Sequence, residues 1–288
     1  MAAVSAAMPH REPNVLLRLA RRPTAFVGLM VIVIIAVLSI LAPWIAPYSP
    51  TQLAVANRLQ GPSLVHFFGT DDMGRDVFTR VLYSGRTSLT VAVAVVILAS
   101  IIGVILGLVS GFFRRADAPI SRLIDAMMAF PDILLAIALV AALGPSANNV
   151  VIALGLVYAP RLARVVRAST LVVRELPYVE AARALAVPTH VILVRHVLRN
   201  VASPLLVQAT FIFSSSILAE AGLSFLGVGI SPDIPTWGTM ISVGRQYLDA
   251  APWIMWFPGG AIVLTVLSLQ LVGDGLRDLL DPRLAKDI

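Results

Sequence analysis

The sequence predicts an all-α integral membrane protein with six transmembrane helices and both termini in the cytoplasm, and three observations support that prediction. Of the 288 residues, 58% are hydrophobic and only 13% are charged, whereas soluble domains carry about 25% charged residues. Mean hydropathy is +0.88. Six apolar stretches reach or approach the ~20 residues that a helix needs to cross the hydrocarbon core. We therefore expect one membrane domain rather than the two soluble domains that the length alone suggests.

The predicted spans divide the chain into a membrane core and polar connecting segments. The first span is uncharged and longer than the apolar part of a signal peptide, so we expect it to remain as a helix. The core at 87–272 contains a cytoplasmic loop at 171–203 and an outer loop at 227–253, and the flanking segments are cytoplasmic 1–25, extracytoplasmic 47–86 and cytoplasmic 273–288. The spans lie near 26–46, 87–111, 120–143, 148–170, 204–226 and 254–272.

The distribution of basic residues predicts the orientation. If the N-terminus is inside, seventeen of the 22 Lys and Arg residues lie in or beside cytoplasmic segments, and five lie in outer segments. Because cytoplasmic loops carry an excess of basic residues, both termini are predicted inside. The net charge of +6 is dispersed along the chain, so membrane orientation explains it better than nucleic-acid binding does.

Composition excludes several kinds of chemistry. The chain has no cysteine, which excludes disulfides, thiolate zinc sites and a cysteine nucleophile. Its only lysine, Lys286, lies two residues from the end, so the chain has no Walker A loop for ATP. The four histidines lack the spacing of metal ligands. We predict no catalytic residue, no metal site and no cofactor in this chain.

Polar side chains are rare in the predicted spans. Glu220 lies deep in the fifth span, and Asp125 and Asp132 lie in the third. Ionisable residues inside a bilayer are costly and usually functional, but isolated carboxylates are not the relay of a proton-coupled carrier. Two interpretations stay open for Glu220 and for the nearby serines: hydrogen bonding at a helix interface, or lining a substrate pathway. The serines are Ser214, Ser215 and Ser216.

Two further features concern helix packing. Gly103, Gly107 and Gly111 recur every four residues in the second span, which predicts a seam where two helices approach closely. Whether that seam is internal or faces a partner subunit stays open. Pro131 inside the third span predicts a kink, because proline removes a backbone donor and clashes with the preceding turn.

The inner loop at 171–203 is too polar for the membrane but is patterned as helix. The stretch from Tyr178 to Ala186 is rich in strong helix formers, and Pro188 and Thr189 open a second short amphipathic run. We predict two short helices at the inner face. They form either a rigid ridge suited to another protein's groove or an interfacial helix on lipid headgroups.

Four strings of residues, taken together, resemble one family. EAARAL at 180–185 and RHVLRN at 195–200 look like the EAA loop of permease subunits in bacterial ATP-binding-cassette importers. The other strings are similar to the dipeptide/oligopeptide/nickel branch of that family, and most of all to its C-type dipeptide permeases. They are GTDDMGRD at 69–76, LAEAGLSFLG at 218–227 with WG at 237–238, and GDGLRD at 273–278 with DPR at 281–283.

The resemblance implies the type I importer permease fold and a multi-pass subunit of the bacterial inner membrane. It implies a second homologous permease, two ATPase subunits that bind ATP and Mg, and an extracytoplasmic substrate-binding protein. The implied substrates are di- or oligopeptides, while nickel, glutathione or another small solute stay as alternatives. An ion-coupled secondary transporter and a membrane scaffold are the alternatives from other classes.

The resemblance also implies roles for named residues. The EAA helix is the coupling helix that docks in the ATPase. This chain departs from the family at two positions, with alanine where glycine is usual at 186 and Arg199 where proline is usual. Because glycine suits a positive φ, the alanine implies a less tight turn or some strain. The residues implied in the ATPase contact are Glu180, Ala181, Ala182, Arg183 and Ala186.

The outer loops have two interpretations each. Thr70 followed by Asp71 and Asp72 is typical of a helix N-cap with acidic first-turn residues. Trp237 lies in a turn-rich segment and is typical of a membrane-interface anchor. By resemblance, Asp71 and Asp72 belong to the surface that a loaded binding protein meets. The alternative for the segment of Trp237 is a fixed lid that reaches the binding protein.

Overall fold

Residues 22–280 are described by a computed structural model, and every regular element in that range is a helix. Five helices are long and apolar enough to cross a membrane, and two shorter helices joined at a sharp bend supply a sixth span if they are counted as one. The prediction of an all-α membrane protein is confirmed. Residues 1–21 and 281–288, which carry most of the predicted N-terminal segment and half of the predicted C-terminal one, lie outside the described range.

The bounds of the helices differ from the predicted spans at several ends. Two single-turn 3-10 helices, Val55–Asn57 and Arg245–Tyr247, lie in the predicted outer segments. A π-helical stretch, Ile192–Val197, interrupts α8. In chain order the α-helices are α1 (Pro23–Ile40), α2 (Ala42–Ile45), α3 (Val77–Phe112), α4 (Arg114–Met128), α5 (Asp132–Leu143), α6 (Ala147–Val173), α7 (Pro177–Ala184), α8 (Thr189–Phe225), α9 (Trp237–Gly244) and α10 (Trp253–Leu280).

The second span begins at Val77 rather than near residue 87. Asp76 is its N-cap, because one carboxylate oxygen, Oδ2, accepts a hydrogen bond from the Thr79 amide at 2.8 Å. The other, Oδ1, lies 3.0 Å from Nδ1 of His66. The N-cap predicted at Thr70 is therefore wrong. Aspartate caps a helix as well as threonine does, and the string GTDDMGRD offers both.

The third span is broken rather than kinked. α4 and α5 are inclined at 92° to each other, with the break at residues 129–131. Pro131 lacks an amide hydrogen, and its ring disfavours helical backbone at Phe130. α5 has 12 residues, or about 18 Å at 1.5 Å per residue, so it crosses only part of the ~30 Å core. The prediction of one helix at 120–143 is wrong in this respect.

The predicted cytoplasmic loop is shorter than 171–203. α6 continues to Val173 and α8 begins at Thr189. The second short helix predicted there is therefore the first part of a membrane-crossing helix. Buried apolar side chains explain why the helix continues, since Ile192, Val197 and Val201 all pack into the core. α7 is the one short helix left in this segment.

The glycine seam of α3 is internal and packs against α6. A Cβ placed on Gly107 would lie 2.6 Å from the Cβ of Val166 and 2.7 Å from the carbonyl oxygen of Ala163. Only glycine lets the two backbones approach this closely. The question that the sequence left open is thus settled in favour of packing within the chain. The equivalent contacts are Gly103 with Leu162 and Gly111 with Thr170.

The opposite side of α3 is an exposed apolar stripe. Val93, Ile97, Ile101 and Ile105 recur every four residues, and each is between 44% and 57% exposed. Exposed aliphatic side chains at this spacing suit contact with lipid tails or with another membrane helix. α3 therefore separates a packed interior from a surface that needs an apolar environment.

Candidate functional site

One face of α7 is anchored to the membrane core. Val179 is fully buried. The Tyr178 hydroxyl accepts a hydrogen bond from Nδ2 of Asn200 on α8 at 3.0 Å. The guanidinium of Arg183 lies 4.7 Å from the centre of the Phe112 ring at the end of α3, which is within cation–π range. These contacts connect α7 to two membrane-crossing helices, so a displacement of α7 would act on both.

The opposite face of α7 is exposed. Glu180, Ala181 and Ala184 lie on it, and Leu185, just after the helix, is 79% exposed. Ala182 differs, because it is 8% exposed and packs into the core. The expectation that Ala182 contacts a partner is therefore corrected: a helix exposes only one face, and Ala182 lies with Val179 on the other.

α7 ends in a turn that normally requires glycine. Ala186 has a φ of 55°. The Val187 amide donates to the Ala182 carbonyl at 3.0 Å, and the Ala186 amide donates to the Arg183 carbonyl at 2.9 Å. This pair of bonds defines a Schellman motif. α8 ends in the same motif, with Gly227 at a φ of 80°. The turn after α7 is therefore as tight as one that has glycine, and the side chain of Ala186 puts its backbone under strain.

We expect Ala186→Gly to stabilise this turn by about 0.5–1 kcal/mol. Glycine adopts a positive φ without the steric penalty of a Cβ, and the greater entropy of glycine in the unfolded chain offsets part of that gain. Amide hydrogen exchange at Val187 should slow about two- to fivefold. Gly227→Ala is the matched reverse change, since a Cβ there meets nothing within 4 Å and only the backbone strain is added. Faster exchange in Ala186→Gly would contradict the interpretation.

Glu220 lies where α8 meets α3 and the start of α9. It is 1% exposed. Oε1 accepts hydrogen bonds from the hydroxyls of Ser224 at 2.8 Å and Thr236 at 2.9 Å. Oε2 accepts one from Ser88 at 3.4 Å, and the Ser88 hydroxyl accepts from the Trp237 amide at 3.2 Å. The structure therefore places Glu220 in a polar cluster between helices.

The three serines of α8 fall into two groups. Ser214 and Ser216 are buried, and their hydroxyls donate to backbone carbonyls of the preceding turn at 3.0 and 2.6 Å. Ser215 is partly exposed, and its carbonyl accepts a hydrogen bond from the Tyr158 hydroxyl at 3.2 Å. It lines a cavity of about 310 Å³ among α5, α6 and α8. Of the three, Ser215 is the one that lines this cavity.

Three ion pairs connect α4 and α5 to α6. The arginines recur every third position along α6 and so lie on one face. The sequence analysis missed these ion pairs and treated Asp125 and Asp132 as isolated carboxylates. The direction that α4 takes from the break at Pro131 cannot be predicted from residue spacing, so its contact with α6 could not be foreseen. The pairs are Arg161 with Asp132, Arg164 with Asp125 at 2.7 Å, and Arg167 with Asp117 at 2.6 Å.

The predicted binding-protein contacts are largely buried. Asp71 is 2% exposed and accepts hydrogen bonds from the amides of Met73 and Arg75, both at 2.9 Å. Trp237 is also 2% exposed, and its Nε1 donates to the Val81 carbonyl at 3.1 Å. The Asp72 side chain is 16% exposed. Asp71 and Trp237 therefore hold the outer segments together and do not present a surface, which corrects the expectation for these two.

The glycines of the motif GTDDMGRD are required by the compact loop that contains Asp71. Gly69 and Gly74 both have a φ of 74°. A Cβ on Gly74 would lie 1.9 Å from the carbonyl oxygen of Ala54. The string thus encodes a folded outer loop that leads into the Asp76 cap of α3.

Comparisons with known proteins agree with the fold. The family described as "Binding-protein-dependent transport system inner membrane component" matches residues 99–286. The family "N-terminal TM domain of oligopeptide transport permease C" matches residues 14–62. The order of the two matches confirms the resemblance to the C-type permeases.

Curated relatives cover most of the chain. A putative peptide transport system permease protein of Brucella suis is 49% identical over 93% of this chain and 90% of its own length. A dipeptide transport system permease protein of Alkalihalophilus pseudofirmus is 45% identical over 93% and 88%. A glutathione transport system permease protein of Pectobacterium atrosepticum is 42% identical over 89% and 86%. The chain therefore belongs to the family of binding-protein-dependent transport system inner membrane components, the non-catalytic, multi-pass permease subunits of ATP-binding-cassette importers.

Proposed function

We propose that this chain forms half of the translocation pathway of an ATP-driven importer for di- and oligopeptides, with both termini in the cytoplasm. The observation that carries the proposal is the two-sided character of α7. Its buried face is fixed to α3 and α8, while its outer face offers small side chains beside the exposed Leu185. Such a helix suits insertion into a groove of an ATPase.

The complex that we propose contains a second homologous permease, two ATPase subunits that hold ATP and Mg, and an extracytoplasmic binding protein. Family membership supports the classes of partner. When the ATPases close on ATP, they would displace α7. The contacts of Arg183 with α3 and of Tyr178 with α8 would carry that displacement into the membrane and switch the pathway from inward- to outward-facing.

The proposed substrate class follows from the relatives. Two of those compared are named for peptides or dipeptides, and the third for glutathione, which is itself a small peptide. A binding protein selects the individual peptide and delivers it. The permease pair then has to conduct a small zwitterionic solute rather than recognise one side chain.

Replacing Leu185 with serine, or Ala181 with tryptophan, should uncouple the ATPases from transport. Serine removes the large apolar group from the ridge, and tryptophan prevents close docking. We expect peptide uptake by the reconstituted complex to fall at least tenfold, and the fraction of ATPase that co-purifies with the permease to fall with it. The measurement is uptake of radiolabelled dipeptide into proteoliposomes, with co-purification quantified by mass spectrometry.

Leu64→Ser is the matched control, because Leu64 is 93% exposed but lies in the predicted outer loop, where no ATPase can touch it. Its co-purification should equal that of the wild type. Normal uptake and normal co-purification in both the Leu185 and the Ala181 variants would contradict the proposed coupling role of α7.

A further inference from the structure

The ion pair between Arg161 and Asp132 lies within a membrane-crossing segment yet is exposed. Arg161 is the fifteenth of the 27 residues of α6, so about 21 Å of the helix precedes it and about 18 Å follows it. The side chains of Arg161 and Asp132 are 44% and 34% exposed. Charged groups at this depth face water or another protein rather than acyl chains. This face of the chain therefore borders water or a neighbouring protein rather than lipid tails.

The position of the pair on α6 supports the same conclusion. Leu162 and Val166 pack into the glycine seam of α3, and at 3.6 residues per turn Arg161 and Arg164 lie on the other side of the helix. Asp132 lines the cavity of about 310 Å³ together with Tyr158, Ser215 and Leu218. Asp132 thus places the ion pair at the edge of a cavity bounded by α5, α6 and α8.

The pair is held in place but is not saturated. The guanidinium of Arg161 lies 5.9 Å from the centre of the Tyr158 ring, and the Tyr158 hydroxyl donates to the Ser215 carbonyl. A guanidinium has five N–H donors. Among residues 22–280, one donor of Arg161 has an acceptor, which is Oδ2 of Asp132. The remaining donors are available to a ligand.

We propose that Arg161 binds the carboxylate of the peptide in transit, and that Asp132 is a positioning residue that holds the guanidinium toward the cavity. This inference rests on the proposed function. Guanidinium and carboxylate match in a fork of two hydrogen bonds. An unpaired arginine in a low-dielectric site would hold an anion tightly, whereas conduction requires a site that also releases it. Asp132 supplies the competing charge that keeps the binding weak.

Single-cysteine labelling tests the site directly, because the chain has no cysteine. Leu218→Cys places a thiol on the cavity wall in the full complex. Its reaction with a sulfonate-bearing and a trimethylammonium-bearing methanethiosulfonate is followed by mass spectrometry of this chain. We expect the ratio of the anionic to the cationic rate to fall at least fivefold on adding Arg161→Gln and to rise at least fivefold on adding Asp132→Asn. Leu206→Cys, on another side of α8, should show no change.

Protection by a ligand completes the labelling experiment. Alanylalanine should slow the labelling of Leu218→Cys at least twofold, its C-terminal amide should not, and Arg161→Gln should abolish the protection. An unreactive thiol, a ratio that ignores Arg161, or equal protection by the amide would overturn the inference.

Uptake separates this inference from the proposed function. Arg161→Gln should lower alanylalanine uptake at least tenfold, while stimulation of the ATPase by the loaded binding protein stays within twofold of the wild type. Arg164→Gln, which changes the neighbouring ion pair, should leave both the uptake and the ATPase stimulation within twofold of the wild type. If the wild-type complex takes up no peptide, the proposed function fails and the inference with it. If it takes up peptide and Arg161→Gln does so equally well, or falls no further than Arg164→Gln, the inference alone fails.

Discussion

Replacing Glu220 with alanine should lower the free energy of unfolding by about 2–4 kcal/mol. Its carboxylate accepts hydrogen bonds from Ser88, Ser224 and Thr236. Alanine leaves these buried hydroxyls without their acceptor, and an unsatisfied buried group costs about 1–3 kcal/mol. It also leaves a cavity where α3, α8 and α9 meet. The free energy would be measured by denaturant titration of the purified protein in mixed micelles.

Two variants make the Glu220 experiment specific. Glu220→Gln keeps the volume and one carbonyl acceptor, so about half the loss is expected. Glu175→Ala removes a carboxylate whose side chain is 55% exposed and which pairs with the neighbouring Arg174. That variant should change the free energy by less than about 0.5 kcal/mol, as is usual for surface substitutions. Equal stability of the Glu220 and Glu175 alanine variants would show that the cluster contributes nothing.

The number and approximate position of the spans could be predicted from the sequence because the bilayer imposes a length and a polarity on each. The ends of the spans depend on local chemistry that several residues offer at once. Thr70 and Asp76 both have the side chain of an N-cap, and only the folded outer loop decides between them. Hydropathy likewise shows no difference between a kink and the 92° break at Pro131.

The short helix of the proposed coupling segment could be located from its sequence, but its geometry could not. A string such as EAARAL names the residues without saying which face of the helix packs inward. In the structure the packing of Val179 turns Ala182 into the core and leaves Ala181 and Leu185 outside. The strain at Ala186 could be predicted, because an L residue in this turn either adopts a strained positive φ or opens the turn. Ala186 adopts the positive φ, so the turn is kept.

Side-chain contacts between helices that are distant in the sequence could not be predicted from the sequence. Arg161 and Asp132 are separated by the rest of α5, a loop and half of α6, so their pairing depends on the tertiary path of the chain. Trp237 illustrates the same limit in the opposite direction. An aromatic residue in a turn-rich outer segment is typical of a membrane interface, yet here the capped start of α9 directs it into the core beside Gly85.

Replacing Gly107 with leucine should have the largest effect on stability, at about 3 kcal/mol or more. Even the first carbon of the new side chain would lie 2.7 Å from the carbonyl oxygen of Ala163, and a backbone atom cannot yield as a flexible side chain does. Overpacking a well-packed core typically costs about 1–3 kcal/mol. Here α3 must also move away from α6, and close packing is what holds helices together in lipid.

Gly260→Leu is the matched control for Gly107→Leu. It makes the same chemical change inside the long helix α10, two turns from its start, where a Cβ would meet nothing within 4 Å. The free energy of unfolding should stay within about 0.5 kcal/mol of the wild type, and Gly107→Ala should fall between the two leucine variants. If Gly107→Leu is as stable as Gly260→Leu, the seam is not a close contact.

The seam also bears on coupling. α3 receives the contact of Arg183, and α6 carries Arg161, so the α3–α6 seam connects the proposed coupling helix to the proposed carboxylate site. Gly107→Ala, the smaller of the two changes to the seam, is therefore expected to lower peptide uptake more than it lowers ATPase activity. Equal losses of uptake and ATPase activity in Gly107→Ala would mean that the seam supports the fold but carries no displacement between these sites.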